Sequence, residues 1–434
     1  MNLNNIKQKI LTGSSFRKDV LWTFSTQIIV MLLAFGITKV ASNRLSVDDF
    51  GQYNVIRRSV SVISFIMLAG MGITLPRYLA VFQGIRHYRK MIDLTFCSII
   101  FVVAVCIITC VTGFVFSSYL IPIVTGSSEV SLYWIAMAFS FGTAVSSFLI
   151  AYYRGINDFK KYSISQVTLQ LLLFLCVVLI PSINVYMIFV TWFIASVLLT
   201  LLFFFFENYR SKTILLRGYR TAQIKSMMKT ISLYTTPRII GDFFLFSFSA
   251  FPVVYLSQKM SMSDVAYYSV GLTVVNMATP VFSFLGVVLL PYVSGAISKG
   301  NFKDAERLIS RLAKWYITLA LLLTVVFWFF MSVIIYIFFS PDYLVCEGNS
   351  RILLMSVIPQ SMYLLYRNPL DAVSALPFNT LILVVSCAVL VLLFTISNTL
   401  TDYSYSFVIA SVFQGVLSVV AWYWLKKRYY LKKQ

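Results

Sequence analysis

A succession of apolar runs, each long enough to cross a bilayer, constrains this chain more than any motif it carries. A helix needs about 20 mostly apolar residues to span a hydrocarbon core of about 30 Å. Such runs fall at residues 20–41, 55–80, 93–118, 130–153, 163–182, 185–206, 230–256, 265–294, 315–339, 350–366, 378–397 and 403–425. The pattern predicts an all-α polytopic membrane protein with about twelve transmembrane helices. No polar segment between the runs is long enough for a soluble domain. With 59% hydrophobic and only 12% charged residues the composition agrees, since a soluble domain carries about 25% charged residues. The first run follows a basic segment, is too long for a signal-peptide core and lacks a small-residue cleavage pattern, so it is expected to persist as the first span.

The net charge of +20 raises the question of nucleic acid. The placement of the charge answers it. With the N-terminus in the cytoplasm, most of the 35 Lys and Arg fall in cytoplasmic segments, among them Arg86, Arg89, Lys90, Arg154, Lys160, Lys161 and the runs at 210–229, 299–314 and 426–433. Positive charge on the inner side is what membrane insertion selects. The excess is therefore topogenic, both termini are expected to be cytoplasmic, and no nucleic acid is expected as a partner. The stripe Lys299, Lys303, Arg307 and Arg311 suits anionic headgroups, and membrane lipids are partners on that account. Six cysteines with one outer-loop member, and a single histidine, His87, give neither a disulfide framework nor a metal-ligand pattern. No cofactor or metal is expected, and without a Walker A sequence the chain does not itself hydrolyse nucleotide.

The chain also repeats itself. Aligning LSVDDFGQYNV with MSMSDVAYYSV brings Ser46 to Ser261, Asp49 to Asp264, Tyr53 to Tyr268 and Val55 to Val270. Continuing without a gap brings Leu75 to Leu290 and Pro76 to Pro291. A second echo matches Tyr153, Arg154 and Asp158 with Tyr366, Arg367 and Asp371. Six spans per half is an even number, so both halves enter from the same side and the repeat is parallel, related by an axis along the membrane normal. The expected organisation is two pseudo-symmetric six-helix bundles, residues 1–206 and 230–434, joined by a cytoplasmic linker at 207–229. In such architectures the substrate site lies where the bundles face each other, and rocking gives alternating access.

Several charged residues stand where insertion does not favour them. Arg57 and Arg58 open the span at 55–80, opposite Arg77 at its inner end, and Lys39 lies at the same outer level with Arg44 just beyond. Arginine presents a planar fork of donors that holds phosphate oxygens in pairs, so Arg57, Arg58 and Lys39 are candidate substrate-binding cations. The alternative is that they snorkel to the interface or pair with Asp48 and Asp49. Arg238 and Asp242, one turn apart after Pro237, are a second candidate: Arg238 for substrate phosphate and Asp242 for ion coupling, or the two as an intrahelical ion pair. Arg154 with Asp158 and Arg367 with Asp371 are expected to fix helix ends, and the phenylalanines at 203–206 to face lipid.

The DDFGQY segment ending in PRYLA, the YTTPRIIGD opening of the second half and the YRNPLDAVSALPFNT segment resemble the polysaccharide-transporter branch of the multidrug/oligosaccharidyl-lipid/polysaccharide exporter superfamily, the Wzx-type O-antigen and capsule-repeat flippases. The resemblance covers the whole chain in length, span number and repeat. It implies a MATE-like two-bundle fold in a bacterial inner membrane, and transfer of undecaprenyl-diphosphate-linked oligosaccharide repeat units to the outer leaflet, alongside other polysaccharide-assembly proteins. A cation-coupled multidrug exporter of the same superfamily is the rival. It calls for an acidic cavity, whereas the position matching Asp242 in the first half is Gln27. A membrane glycan polymerase calls for a catalytic cluster and a long outer loop, and neither is evident, so the chain is not expected to be an enzyme.

Overall fold

In the computed structural model, residues 14–181, 184–211, 239–241, 243–298, 302–373 and 377–431 are described. The first half forms α1 (Ser14–Arg44), α2 (Val47–Leu68), α3 (Met71–Gly84), α4 (Tyr88–Val115), α5 (Ser117–Thr125), α6 (Val130–Gly155), α7 (Phe159–Leu179) and α8 (Val185–Ser211). The second forms α9 (Ile239–Leu256), α10 (Met262–Ser298), α11 (Phe302–Phe329), α12 (Met331–Phe338), a 3-10 turn at Pro341–Cys346, α13 (Glu347–Leu354), α14 (Val357–Val373), α15 (Phe378–Ile396) and α16 (Leu400–Leu431). There is no strand among the described residues. The fold is all-helical, and among the described residues 11 stretches are long and apolar enough to cross a membrane.

Among the described residues four of the expected spans are interrupted: those at 93–118 and 315–339 turn at Phe116 and Phe330, and the other two break each for a local reason. The span at 350–366 is divided between α13 and α14. A proline ring clashes with the carbonyl four residues back, so Pro359 bars regular helix through Met355. Met355 and Ser356 turn instead through N–H bonds to the carbonyls of Ile352 and Leu353, both 3.0 Å. Pro359 itself sits in the first turn of α14, where a missing N–H leaves nothing unmet. The span at 55–80 breaks between α2 and α3, where Ala69 and Gly70 take positive φ of 50° and 69°. Gly70 does so without steric cost, whereas for Ala69 the conformation is strained.

The chain forms two compact units, one of Met1–Leu45 and Ser59–Ile239 and the other of Ser46–Arg58 and Ile240–Gln434. The division falls inside α2, after Arg58. In the first unit α1 packs on α7, α6 on α8, and α3 on both α4 and α6. The α3–α6 approach is close because Gly155 lacks a side chain: a Cβ there would stand 2.8 Å from the Pro76 Cα. Side-chain donors find main-chain acceptors, Trp192 Nε1 donating to Leu173 O at 2.9 Å and the Tyr133 hydroxyl to Gly113 O at 2.8 Å. In lipid no water would satisfy them. Of the phenylalanines at 203–206, Phe205 and Phe206 are exposed. Phe203 turns inward onto the Tyr153 ring, 6.2 Å between centroids, and Phe204 lines an apolar groove of about 220 Å³ with Val102 and Leu149.

In the second unit α10 packs on α13 and α14, and α16 on α14 and α15. Gly415 of α16 lies against α14, where a Cβ would come 2.7 Å from the Pro359 carbonyl oxygen. The Tyr316 hydroxyl donates to Phe282 O at 2.7 Å, tying α11 to α10.

Candidate functional site

The site is built on α2, and α2 begins with a side-chain cap. Ser46 Oγ accepts the Asp49 N–H at 3.1 Å and donates to Asp49 Oδ2 at 2.7 Å. The start of α10 is made the same way, Ser261 Oγ accepting the Asp264 N–H at 3.2 Å and donating to Asp264 Oδ2 at 2.5 Å. The shared Ser and Asp of the repeat are thus helix-starting devices, satisfying N–H groups that no earlier turn can reach. Below the cap, Phe50 and Tyr53 are buried and stack with centroids 5.8 Å apart, and Phe50 meets Tyr343 edge-on at 5.3 Å. The crossing of α2 and α10 is close: a Cβ on Gly51 would stand 2.1 Å from the Met262 carbonyl oxygen.

Arg57 and Arg58 follow, both half-buried. Arg57 lies one turn beyond Tyr53 along α2, and the two side chains are electrostatic neighbours. Arg58 has Arg57 and Tyr53 as its charged and polar neighbours, and among the described residues no carboxylate forms an ion pair with it. Asp49 is occupied at the cap, and along the helix it stands about 12 Å from Arg57. The alternative in which Asp48 and Asp49 hold the two arginines is not formed. Two guanidinium groups on adjacent residues of one half-buried surface repel each other, and an anion at Arg58 would be favoured.

The repeat sharpens this reading. The positions of α10 matching Arg57 and Arg58 are Leu272, which is buried, and Thr273, whose hydroxyl donates to Ser269 O at 2.8 Å. The same helix start, with the same cap and the same buried tyrosine, therefore forms without charge at this level. The arginines are not what the fold requires.

The other candidate cations differ among themselves. Lys39 is half-buried on α1, in the first unit, whereas Arg57 and Arg58 belong to the second. Arg44 is a structural residue: its guanidinium donates to Val177 O at 3.2 Å and Ile180 O at 2.8 Å, where α7 ends. A cation closing the C-terminal carbonyls of a helix suits the helix dipole. Because Arg44 is exposed, its removal is expected to cost only about 1 kcal/mol. An Arg44→Ala variant should therefore melt a few degrees lower in a thermal unfolding scan while transport per folded molecule stays unchanged. Arg238 and Asp242 lie outside the described residues, as do Lys299 and most of the 207–229 linker. Asp158 caps α7, its carboxylate accepting the Lys161 N–H at 3.0 Å, and Arg154 donates to the Gly72 carbonyl, so this corner fixes helix ends as expected.

Sequence reasoning missed a polar contact in the first unit. Gln27 Nε2 of α1 donates to Gln166 Oε1 of α7 at 3.1 Å and to the Tyr162 hydroxyl at 3.4 Å. The only signal was Gln27 itself, an amide within an apolar run.

An all-helical, multiply spanning chain with an internal repeat and cations set into a span has the organisation expected of a membrane transporter. Among solved structures it is similar to an inward-facing multidrug-resistance MATE family transporter of the MOP superfamily, with TM-score 0.75, 13% identity, and coverage of 93% of this chain and 95% of that one. An outward-facing MATE family transporter of the same superfamily follows at TM-score 0.60 and 12% identity, over 96% and 95% of the two chains. A eukaryotic MATE transporter has TM-score 0.65 and 16% identity, over 93% and 94%. At these identities the likeness establishes the fold. No curated protein matches the chain. The family model for polysaccharide biosynthesis proteins matches residues 16–297, well over half the sequence, and the MatE model matches residues 237–397. The chain belongs to the polysaccharide biosynthesis protein family.

Proposed function

We propose that this transporter is a flippase that carries undecaprenyl-diphosphate-linked oligosaccharide repeat units from the inner to the outer leaflet by alternating access, for O-antigen or capsule assembly. The observation that carries the reading is the arginine pair on α2, half-buried, without a carboxylate on Arg58, and absent from the matching helix of the repeat. A diphosphate leaving the headgroup layer needs several donors at once, and two forks on adjacent residues supply them. Lys39 and Arg238 are further substrate-binding cations in this reading, and Asp242 is the ion-coupling carboxylate. The protein works in a bacterial inner membrane with both termini in the cytoplasm, beside other polysaccharide-assembly proteins. The test is complementation of surface polysaccharide in a host deleted for its own flippase, with an immunoblot for protein level.

The MatE match and the multidrug transporters among the similar structures favour a second reading, a cation-coupled drug exporter. The charge at the site argues against it. Two guanidinium groups repel a cationic drug, and a cation site calls for carboxylates. The readings share one expectation: Asp242→Asn should abolish any ion-dependent part of transport at normal abundance. If Arg238→Gln added to Asp242→Asn restores transport, the two residues are a structural pair and Asp242 does not couple.

A further inference from the structure

The Gln27–Gln166 contact joins two amides within the membrane-spanning segments Trp22–Arg44 and Phe159–Leu179, and it leaves half of their hydrogen-bonding capacity unused. Gln27 Nε2 spends its two donors on Gln166 Oε1 and the Tyr162 hydroxyl oxygen. Among the described residues, Gln27 Oε1, Gln166 Nε2 and the Tyr162 hydroxyl proton have no protein partner. Interchanging oxygen and nitrogen in both amides changes which residue holds which group, but one carbonyl and one amino group remain free either way. An unmet polar group in hydrocarbon is costly. Both glutamines are half-buried rather than sealed, so they can be met from outside the protein.

The free groups have a definite chemistry: an acceptor beside donors, with no net charge. The nearby Lys161 is engaged, its Nζ 3.7 Å from Asp158 Oδ2 and over the Tyr153 ring at 5.6 Å. An anion meets the carbonyl unfavourably and a cation meets the amino group unfavourably. A hydroxyl, which both donates and accepts, matches both.

We propose that Gln27 and Gln166, with the Tyr162 hydroxyl, form a subsite for sugar hydroxyl groups, which rests on the flippase reading and assigns the glycan part of the substrate to the seam of α1 and α7. The rival role is adhesion, one amide pair tying α1 to α7. Adhesion requires only the contact between the amides; sugar binding requires the groups left over.

The test compares equilibrium binding of two probes to the purified full-length protein: undecaprenyl diphosphate and undecaprenyl-diphosphate N-acetylglucosamine. Two additional hydrogen bonds are expected to give the glycosylated probe about tenfold tighter binding. Gln27→Leu with Gln166→Leu replaces both amides by apolar groups of similar shape, which preserves packing, and should bring both probes to the affinity of the bare lipid. Arg57→Ala with Arg58→Ala should weaken both and leave their ratio intact. A ratio that survives the leucine variant, or that is absent from the parent protein, overturns the subsite. Failure of the parent protein to bind either probe overturns the flippase reading itself. Should the leucine variant not fold, Gln27→Asn withdraws the free carbonyl by one methylene and must lower the ratio by itself.

Discussion

Replacing Arg57 and Arg58 together with alanine is expected to cut transport about a hundredfold while the protein stays folded and abundant, since a hydrogen bond to a charged group contributes about 1.5–3 kcal/mol and two forks are lost. Folding is spared for a reason visible in the repeat. The matching helix is built over Leu272 and Thr273, and Asp49 is committed to its own cap rather than to the arginines. Lysine at both positions keeps the charge but not the planar fork, so transport should fall to an intermediate level. Snorkelling cations behave otherwise: lysine then serves as well as arginine, and alanine is tolerated. Full surface-polysaccharide complementation by Arg57→Ala, Arg58→Ala at normal protein level would contradict the assignment.

A second large effect is expected at Gly51. A methyl group there lies 2.1 Å from the Met262 carbonyl oxygen, which belongs to backbone and cannot swing aside. The start of α2 must then withdraw from α10, taking with it the contact of Phe50 on Tyr343. Overpacking of this kind costs about 1–3 kcal/mol, and with a backbone atom as the obstacle Gly51→Ala should lie at the upper end. The apparent melting temperature should fall by about 5 °C or more. Gly84 is the control, because a Cβ there meets nothing within 4 Å. Equal melting of Gly51→Ala and Gly84→Ala would show that the helices do not approach as closely as described.

The repeat makes the glycine informative as well. Its counterpart in the second half is Ala266, so the sequence tolerates a methyl group at one member of the pair and not at the other. The crossing is therefore not symmetric at atomic detail, although the two helix starts share a cap.

The spans were readable because composition alone places a run of apolar residues in lipid, and the halves because Ser46–Asp49 and Ser261–Asp264 perform the same local task. Local chemistry is what a sequence displays. The break at Ala69 was hidden, since only Gly70 beside it hints at left-handed backbone, and Pro359 acts on a carbonyl four residues earlier in a run that otherwise reads as one span. The role of Arg44 was hidden more deeply. Its partners are the carbonyls of Val177 and Ile180, and backbone oxygens leave no trace in residue type. The run at 203–206 reads as four identical residues, yet helical geometry sends Phe203 inward and Phe205 outward. Arg57 and Arg58 were legible as an anomaly; that Asp49 is spent elsewhere required coordinates.

The central claim is movement of a lipid-linked glycan, and its most direct measurement uses the purified protein in sealed vesicles containing a labelled undecaprenyl-diphosphate oligosaccharide. Accessibility of the label to an external glycosidase is followed over time against protein-free vesicles. The flippase reading predicts that the protected fraction becomes accessible in the presence of the protein, and that it does so much more slowly with Arg57→Ala, Arg58→Ala. A protected fraction that stays as constant as in protein-free vesicles, with the same preparation accumulating a cationic dye under an ion gradient, would contradict it and favour the drug exporter.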